Sequence, residues 1–274
     1  MSLFETAFAK INLALHVRER MPDGYHRIET IFAFCEDGDR LEGEAADALS
    51  LAITGPFAEG LGAGEDNLVV RAARALQAET GTTAGAALRL DKRLPVAAGL
   101  GGGSADAAAA LRLLSKLWNL TIDSRTLCEV ARGLGADVPA CLFSKTARGD
   151  GRGDDLRTIE WSPFSGIPVL LANPRVPLST AVVFAGWDWI DRGPMPAEAT
   201  AGRNDLEASA IASCPQVGAV LRRLNDLEGV TIARMSGSGA TCFALFEDED
   251  ARDAAHVQLA GLQPSWWRLA SRLR

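Results

Sequence analysis

The feature that most constrains this chain is a glycine-rich segment between a predicted strand and an alanine-rich helix. Four glycines fall within residues 99–103, and Ser104 then precedes the segment ADAAAALRLLSKLW. Alanine is the best helix former, and Leu111, Leu114 and Trp118 recur at helical spacing, so Ser104 is predicted to cap a helix. Glycines admit close backbone approach, and a helix start presents N–H donors at the positive end of its dipole. The pattern predicts a loop that binds nucleotide phosphates.

The form of this loop excludes two better-known phosphate motifs. No Gly-Lys-Ser/Thr follows the glycines, as a P-loop would require. The ribose-binding acid and the βαβ frame of a dinucleotide site are also missing. A flexible turn before a helix remains the alternative interpretation. If the loop binds phosphate, the Ser104 hydroxyl is a candidate contact for a phosphate oxygen or for Mg²⁺.

A second glycine segment, SGSGA at residues 236–240, lies between two predicted strands, VTIARM and TCFALF. Its simplest interpretation is a hairpin turn. Its hydroxyl and N–H groups would alternatively complete the phosphate site begun by the first loop.

Two charged residues are candidates for phosphoryl-transfer chemistry, which needs alignment, charge stabilisation and a group that accepts the hydroxyl proton. Lys10 lies in an apolar predicted strand, where burial is costly unless the charge is paired. Asp137 follows a predicted helix stop at Gly135. A solvated strand face and a helix cap are the respective alternatives. If the two face each other in a cleft, lysine keeps the carboxylate ionised and aspartate orients or deprotonates the hydroxyl.

The remaining periodicity predicts a mixed chain. Helices and strands do not alternate regularly, so an α+β fold is favoured over a doubly wound sheet. The glycine- and charge-rich stretch 147–155 is predicted to be a domain boundary or a mobile loop. Further strands are predicted at residues 49–54, 86–90 and 167–173, and further helices from a cap at Asp66 to about Gln77, at 123–134, near Asp205, at 215–227 and from Asp248.

The net charge and the cysteine pattern limit the kinds of molecule that this protein is expected to bind and the compartment in which it is expected to work. A net charge of −7 over 274 residues argues against nucleic acid or an anionic membrane as the main partner. A phosphorylated small molecule stays compatible, because it needs only a local positive pocket. The five cysteines include no C-x-x-C pair, which is typical of a reduced cytoplasmic protein. We see no signal peptide and no apolar run near the roughly 18 residues that span a bilayer.

Taken together, the motifs resemble the galactose, homoserine, mevalonate and phosphomevalonate (GHMP) kinase superfamily over nearly the whole chain. The most specific combination is AKINL, DGYH and GADVP, which resembles the branch that acts on cytidine-diphosphate-linked methylerythritol in the non-mevalonate isoprenoid pathway. The segments that carry the resemblance are AKINL at 9–13, DGYH at 23–26, EDNL at 65–68, the loop at 95–105, GADVP at 135–139, NDLE at 204–207 and SGSGA at 236–240.

The resemblance implies an α+β fold of two domains. Residues 1–150 would form an ATP-binding domain similar to ribosomal protein S5 domain 2. Residues 151–274 would form a ferredoxin-like domain that contributes to substrate binding. The implied activity is ATP-dependent phosphorylation of the 2-hydroxyl of the methylerythritol unit. ATP and Mg²⁺ would be the cofactors, the substrate would be a small molecule, and no obligate protein partner is expected.

The resemblance also implies a role for individual residues, according to the family motif in which each residue lies. Asp137 is the implied base and Lys10 its partner. Tyr25 or Phe184 can stack on cytosine; a core aromatic is the alternative for Phe184 and a surface histidine for His26. The implied ATP-binding residues are Pro95, Val96, Ala97, Ala98, Gly99, Leu100, Gly101, Gly102, Gly103, Ser104 and Ala105, with Asn67, Leu68 and Lys92 near the adenine. The implied substrate pocket consists of Asn12, Tyr25, His26, Phe32, Thr180 and Phe184.

The chain departs from the family pattern in two places. Ala105 follows Ser104 where a second hydroxyl residue is expected, which removes one potential phosphate contact. The run Gly151-Arg152-Gly153-Asp154 supplies an aspartate where the family tends to carry an acidic residue behind paired glycines. Neither change touches the implied base, so any effect is expected on nucleotide affinity.

Two other functions remain open at this point. A GHMP-type kinase acting on homoserine or mevalonate would share the glycine loop, although the DGYH segment argues against it. A non-catalytic ligand-binding regulator on the same fold would need neither Lys10 nor Asp137.

Overall fold

The computed structural model describes residues 2–159, 163–196 and 199–274. The chain divides into two compact units, each built from three segments. Unit 1 comprises the chain up to Ala9, Asp37–Val96 and Gly101–Ser144; unit 2 comprises Lys10–Glu36, Ala97–Leu100 and Lys145–Arg274. Two long strands, β1 (Leu3–Arg20) and β2 (His26–Ala46), contribute residues to both units. The predicted division at residue 150 concerns contiguous domains and stays a prediction.

Unit 1 packs helices against a small sheet. Strand β3 (Ser50–Thr54) runs parallel to β4 (Gly85–Asp91), which pairs antiparallel with the second half of β2. Gly43 of β2 makes room for a helix, because a Cβ there would lie 2.6 Å from the Leu113 side chain. The helices of this unit are α1 (Leu68–Thr80), α2 (Gly102–Leu117), α3 (Ser124–Leu134) and α4 (Val138–Phe143).

Helix α2 is central to unit 1, since it contacts the other three helices. Its alanines at 107–110 are fully buried. Small side chains let neighbouring elements approach closely, so the alanine-rich sequence that predicted a helix also explains its central position. The start of this helix is therefore set by the packing of the whole unit.

One part of unit 2 is a β-hairpin that pairs with the first half of β2. Strand β5 (Ala147–Asp150) pairs antiparallel with β2, with Thr30 opposite Gly149, and β6 (Asp155–Thr158) pairs with β5. The mobile-loop interpretation of residues 147–155 is therefore wrong. Residues 147–149 pair with β2, which lies more than a hundred residues earlier in the chain, and Asp150 pairs with Asp155 across the hairpin turn.

Beyond this hairpin, unit 2 contains a four-stranded antiparallel sheet in the order β10 (Trp267–Arg272), β7 (Pro168–Asn173), β9 (Cys242–Phe246), β8 (Val230–Met235). From β7 onward, the chain forms a strand, then helices, then two strands, a helix and a last strand, which is the ferredoxin-like arrangement. The predicted α+β fold is therefore confirmed. Strand β10 had no sequence-based prediction. The helices of this part of unit 2 are α5 (Thr180–Ala185), α6 (Glu207–Ser213), α7 (Pro215–Asn225) and α8 (Glu249–Leu262).

The ends of several helices follow the sequence signals. Helices α3 and α8 start where the sequence predicts them, and the structure adds that Asp123 caps α3 through the N–H groups of Arg125 and Thr126 and that Asp248 caps α8. Asn67, rather than the predicted Asp66, caps α1 by accepting from the Val69 N–H. In the described part of the chain, no helix is long and apolar enough to cross a bilayer.

Candidate active site

The glycine loop enters α2 through three backbone positions in the left-handed region. Ala97, Gly99 and Gly101 have φ of 52°, 76° and 61°. Gly101 takes the N-cap position, and its carbonyl accepts from the Ala105 N–H at 2.8 Å. The helix thus starts before Ser104, and the prediction that Ser104 caps it is wrong, because a left-handed glycine turns the chain into the helix earlier. The first-turn amides belong to Gly102, Gly103 and Ser104.

In unit 1, a buried ionic cluster lies directly behind this helix start. The Lys92 ammonium donates to Asp39 and, at 2.6 Å, to Asp106 Oδ2. A Cβ at Gly102 would lie only 3.1 Å from Lys92 Nζ. Asp39 is held in turn, since its Oδ1 accepts from the backbone N–H groups of Arg93 and Leu94. We call Asp39, Lys92 and Asp106 the buried triad.

Charges inside the buried triad shift one another's protonation. Burial raises the pKa of Asp106 to about 7, against the opposing effect of Lys92. Burial by itself would lower the pKa of Lys92. The two neighbouring carboxylates, Asp106 and Asp39, outweigh that effect, so the pKa of Lys92 is raised. Lys92 was predicted to lie near the adenine. The structure places its ammonium between two carboxylates, and an adenine contact stays a prediction.

The other two residues predicted near the adenine lie at the start of α1. Asn67 Nδ2 donates to the Gly62 carbonyl while its Oδ1 caps the helix. Leu68 lies against the glycine loop, because a Cβ at Gly103 would be 3.3 Å from its side chain. Leu68 therefore lies at the helix start of α2, and an adenine contact of Asn67 or Leu68 stays a prediction.

In unit 2, the late glycine segment 236–240 closes on residues 97–100 of the loop. Ser236 Oγ donates to the Gly99 carbonyl at 2.8 Å, and the Thr241 N–H donates to the Ala98 carbonyl. A Cβ at Gly99 would lie 2.4 Å from the Ser236 carbonyl oxygen, so only glycine fits there. The segment joins the antiparallel strands β8 and β9, so it is the predicted hairpin connection and also contacts the loop.

Lys10 is 3% exposed, which excludes the solvated-face interpretation. Its Nζ donates to Asn12 Oδ1 at 2.9 Å and lies 5.4 Å from the centre of the Phe32 ring. Three residues of the predicted site, Lys10, Asn12 and Phe32, are thus together within unit 2. Asp137 takes the N-cap position of α4 in unit 1 and is half-buried. Its proposed pairing with Lys10 stays a prediction.

The predicted substrate residues form two further groups in unit 2. His26 packs on Phe184 with ring centres 5.0 Å apart, and Trp187 meets the His26 ring edge-on at 5.8 Å. Burial, and then the charge of Arg20, lower the pKa of His26, which favours the neutral imidazole. Thr180 Oγ1 lies 2.9 Å from Ser238 Oγ, beside the late glycine segment.

Tyr25 is exposed, and the Arg152 guanidinium lies 4.4 Å from its ring centre.

Sequence reasoning missed Trp187, Arg152 and both carboxylates of the triad. Trp187 stands three residues after Phe184, a spacing that could have linked them. Asp39 carried no local signal.

Two family models match the chain. The model described as GHMP kinases N terminal domain matches residues 67–145, and the model described as GHMP kinases C terminal matches residues 194–261. The first covers the glycine loop, the buried lysine Lys92 and Asp137. The second covers much of unit 2 between α5 and the end of α8.

Similar proteins agree with these matches. A protein of Rhizorhabdus wittichii named 4-diphosphocytidyl-2-C-methyl-D-erythritol kinase is 57% identical over 278 residues, which cover 98% of this chain and 94% of that protein. A crystal structure of 4-(cytidine 5'-diphospho)-2C-methyl-D-erythritol kinase is 34% identical, covers 99% of both chains and has a TM-score of 0.85. Homoserine kinase from Cytophaga hutchinsonii has a TM-score of 0.72 at 15% identity, over 99% of this chain and 95% of that one. That last likeness concerns the fold alone.

Proposed function

Because the chain belongs to the GHMP kinase family, we propose that it transfers the terminal phosphoryl group of ATP to the 2-hydroxyl of 4-diphosphocytidyl-2-C-methyl-D-erythritol. The hydroxyl oxygen forms a bond to the γ-phosphorus, the bond from that phosphorus to the β-phosphate oxygen breaks, and ADP leaves. The observation that carries this function is the 57% identity to the Rhizorhabdus wittichii kinase over nearly the whole chain. The reaction would serve the non-mevalonate route to isoprenoid precursors.

The glycine loop supports the nucleotide part of the proposal. Helix α2 starts with Gly102 and Gly103 after the N-cap Gly101, so no Cβ stands beside the first N–H groups of the helix, which have no partner within it. Such a helix start favours anions through its donors and its dipole. Triphosphate oxygens would bind there.

Lys10 and Asp137 have the chemistry that the transfer needs. Asp137 would accept the hydroxyl proton as oxygen attacks, and Lys10 would stabilise negative charge near the transferring group. Lys10 suits that role because its buried ammonium is held by Asn12 and is not freely hydrated. A silent ligand-binding regulator would not need to bury a lysine at this cost.

Mg²⁺ is a further part of the proposal. Among the described residues, no group of three or more His, Cys, Asp and Glu side chains could hold a metal ion. Mg²⁺ commonly relies on substrate phosphates and water for most of its ligands, so this donor set still fits it. Ser104, in the first turn of α2, would supply a hydroxyl ligand. When bound, the ion would neutralise charge on the phosphates.

An ADP-release assay with purified protein tests the function. We expect turnover with 4-diphosphocytidyl-2-C-methyl-D-erythritol and none above background with homoserine or mevalonate. Asp137→Asn should abolish turnover while ATP binding, measured by calorimetry, stays within about twofold, because the amide cannot accept the proton. Turnover of homoserine or mevalonate alone would overturn the substrate assignment. Unimpaired turnover in Asp137→Asn would point to another base.

We also propose a cytoplasmic location and no obligate protein partner. The scattered cysteines suit a reducing compartment. Gel filtration of the purified enzyme together with its activity would test whether it works without another protein.

A further inference from the structure

Thr30 lies at the end of a hydrogen-bond chain that begins at Lys10. Lys10 Nζ donates to Asn12 Oδ1 at 2.9 Å, and Asn12 Nδ2 donates to Thr30 Oγ1 at 2.7 Å. The Thr30 hydroxyl then donates to the Ala14 carbonyl at 2.7 Å. The chain connects neighbouring parts of β1 and β2 inside unit 2.

The two ends of this chain fix the direction of every bond in it. A lysine ammonium has only donors, and a backbone carbonyl has only acceptors. Asn12 must therefore present its oxygen to Lys10 and its NH₂ to Thr30. Turning the amide over would place NH₂ against the ammonium and leave the Thr30 oxygen facing a second acceptor.

The three side chains of this hydrogen-bond chain are buried. Lys10 and Asn12 are each 3% exposed, and Thr30 is fully buried. A second contact holds the Asn12 backbone, whose N–H donates to Ser236 Oγ at 3.2 Å. The backbone is thus held by Ser236, while the orientation of the amide depends on Thr30.

We propose that Thr30 is a positioning residue for the kinase reaction, because its hydroxyl sets the Asn12 amide that holds the Lys10 ammonium. This inference rests on the proposed function, in which Lys10 stabilises the transferring phosphoryl group. Thr30 is fully buried, so it would act through Asn12 and not by touching nucleotide or alcohol.

Thr30→Val keeps the shape of the side chain and removes its acceptor and donor. We expect kcat to fall roughly tenfold, since a buried NH₂ without a partner lets the amide reorient. KM for ATP should stay within about twofold, because the substitution leaves the glycine loop unchanged. KM for the alcohol should rise together with the fall in kcat, because Asn12 belongs to the proposed substrate pocket. Thr30→Ser restores the hydroxyl and should bring kcat back to within about threefold of the wild type.

The matched control is Thr241→Val. Thr241 is fully buried, and its Oγ1 accepts from Asn173 Nδ2 at 2.8 Å, so it forms the same kind of pair without Lys10 as a member. Its contact with the Ala98 carbonyl is made by the backbone N–H, which valine keeps. We expect Thr241→Val to lose about as much thermal stability as Thr30→Val while keeping kcat within about twofold. A kcat in Thr30→Val close to wild type would overturn the proposal, as would an equal kcat loss in Thr241→Val or a change confined to KM.

A spectroscopic measurement keeps the inference separate from the choice of substrate. The Asn12 side-chain amide signal in a ¹H–¹⁵N spectrum, identified by its loss in Asn12→Ala, should shift in Thr30→Val and stay in place in Thr241→Val. If the wild type fails to phosphorylate the cytidylyl alcohol while this shift occurs, the proposed function fails and the Thr30–Asn12 link stands. An unchanged amide signal in Thr30→Val would reject the link even in an active kinase.

Discussion

At the scale of the single residue, His16 shows how its surroundings select one protonation state. The Arg203 N–H donates to His16 Nε2 at 3.2 Å, so that nitrogen is an acceptor and the ring proton is on Nδ1, which faces the Gly193 carbonyl at 3.4 Å. The ring is fully buried. Burial, followed by the charge of Arg203, lowers the pKa of His16. The folded protein therefore holds a neutral imidazole.

This arrangement predicts a pH dependence of stability. The unfolded chain takes up a proton at His16 near pH 6.5, whereas the folded chain resists it, so the free energy of unfolding falls as the pH drops below about 6.5. Thermal melts between pH 7.5 and 5 should show a smaller drop in Tm for His16→Gln than for the wild type. Identical pH profiles for the two proteins would mean that His16 does not contribute.

At the scale of the element, the start of α2 depends on the buried triad. Lys92→Met leaves two carboxylates buried without their cation, so we expect the free energy of unfolding to drop by about 3–5 kcal/mol. KM for ATP should also rise, because the first turn of α2 loses the support behind Gly102. Chemical denaturation and steady-state kinetics measure the two effects.

Lys116→Met, near the end of α2, is the matched control. Its exposed ammonium donates at 2.6 Å to Glu5, which Arg112 also holds, so removing the ammonium should cost at most about 1 kcal/mol. Similar losses in both variants would contradict the special role of Lys92. A rise in KM for ATP in Lys92→Met without any loss of stability would instead favour the adenine contact that motif position implied.

Local signals allowed part of these elements to be predicted from sequence. The glycine loop, the alanine-rich helix and the helix starts at Asp123 and Asp248 depend on neighbours a few residues away. Contacts between distant residues gave no such signal. Asp39 meets Lys92 across 53 residues, and the backbone N–H of Asn12 meets Ser236 across 224. The hairpin at 147–158 was missed for the same reason, since its composition suggests a loop and only its pairing with β2 makes it a sheet.

At the scale of the whole molecule, neither compact unit is one continuous stretch of the chain. The buried side chains of Leu15, Val17 and Ile28 belong to the same hydrophobic core as Leu170 and Val217. Early residues of β1 and β2 thus complete unit 2, although the glycine loop and most of unit 1 follow them in sequence.

Fragments 1–150 and 151–274 are therefore expected not to fold separately. The first exposes Leu15 and Val17, and the second lacks the strands that fill its core, so neither should show a cooperative thermal transition by circular dichroism. The full chain cut once within the turn 151–154 is the control and should keep its transition. A sharp, native-like melt of either isolated fragment would show that this core does not need both parts of the chain.

The close approach of Gly99 to the Ser236 carbonyl oxygen limits how sequences of this family can be recombined. Two stretches of backbone that touch without room for a methyl group must agree in conformation, although 136 residues separate them in the chain. A chimera whose crossover falls between the two stretches joins a loop and a turn from different parents. Libraries built by shuffling such genes would keep more active members when both stretches come from one parent.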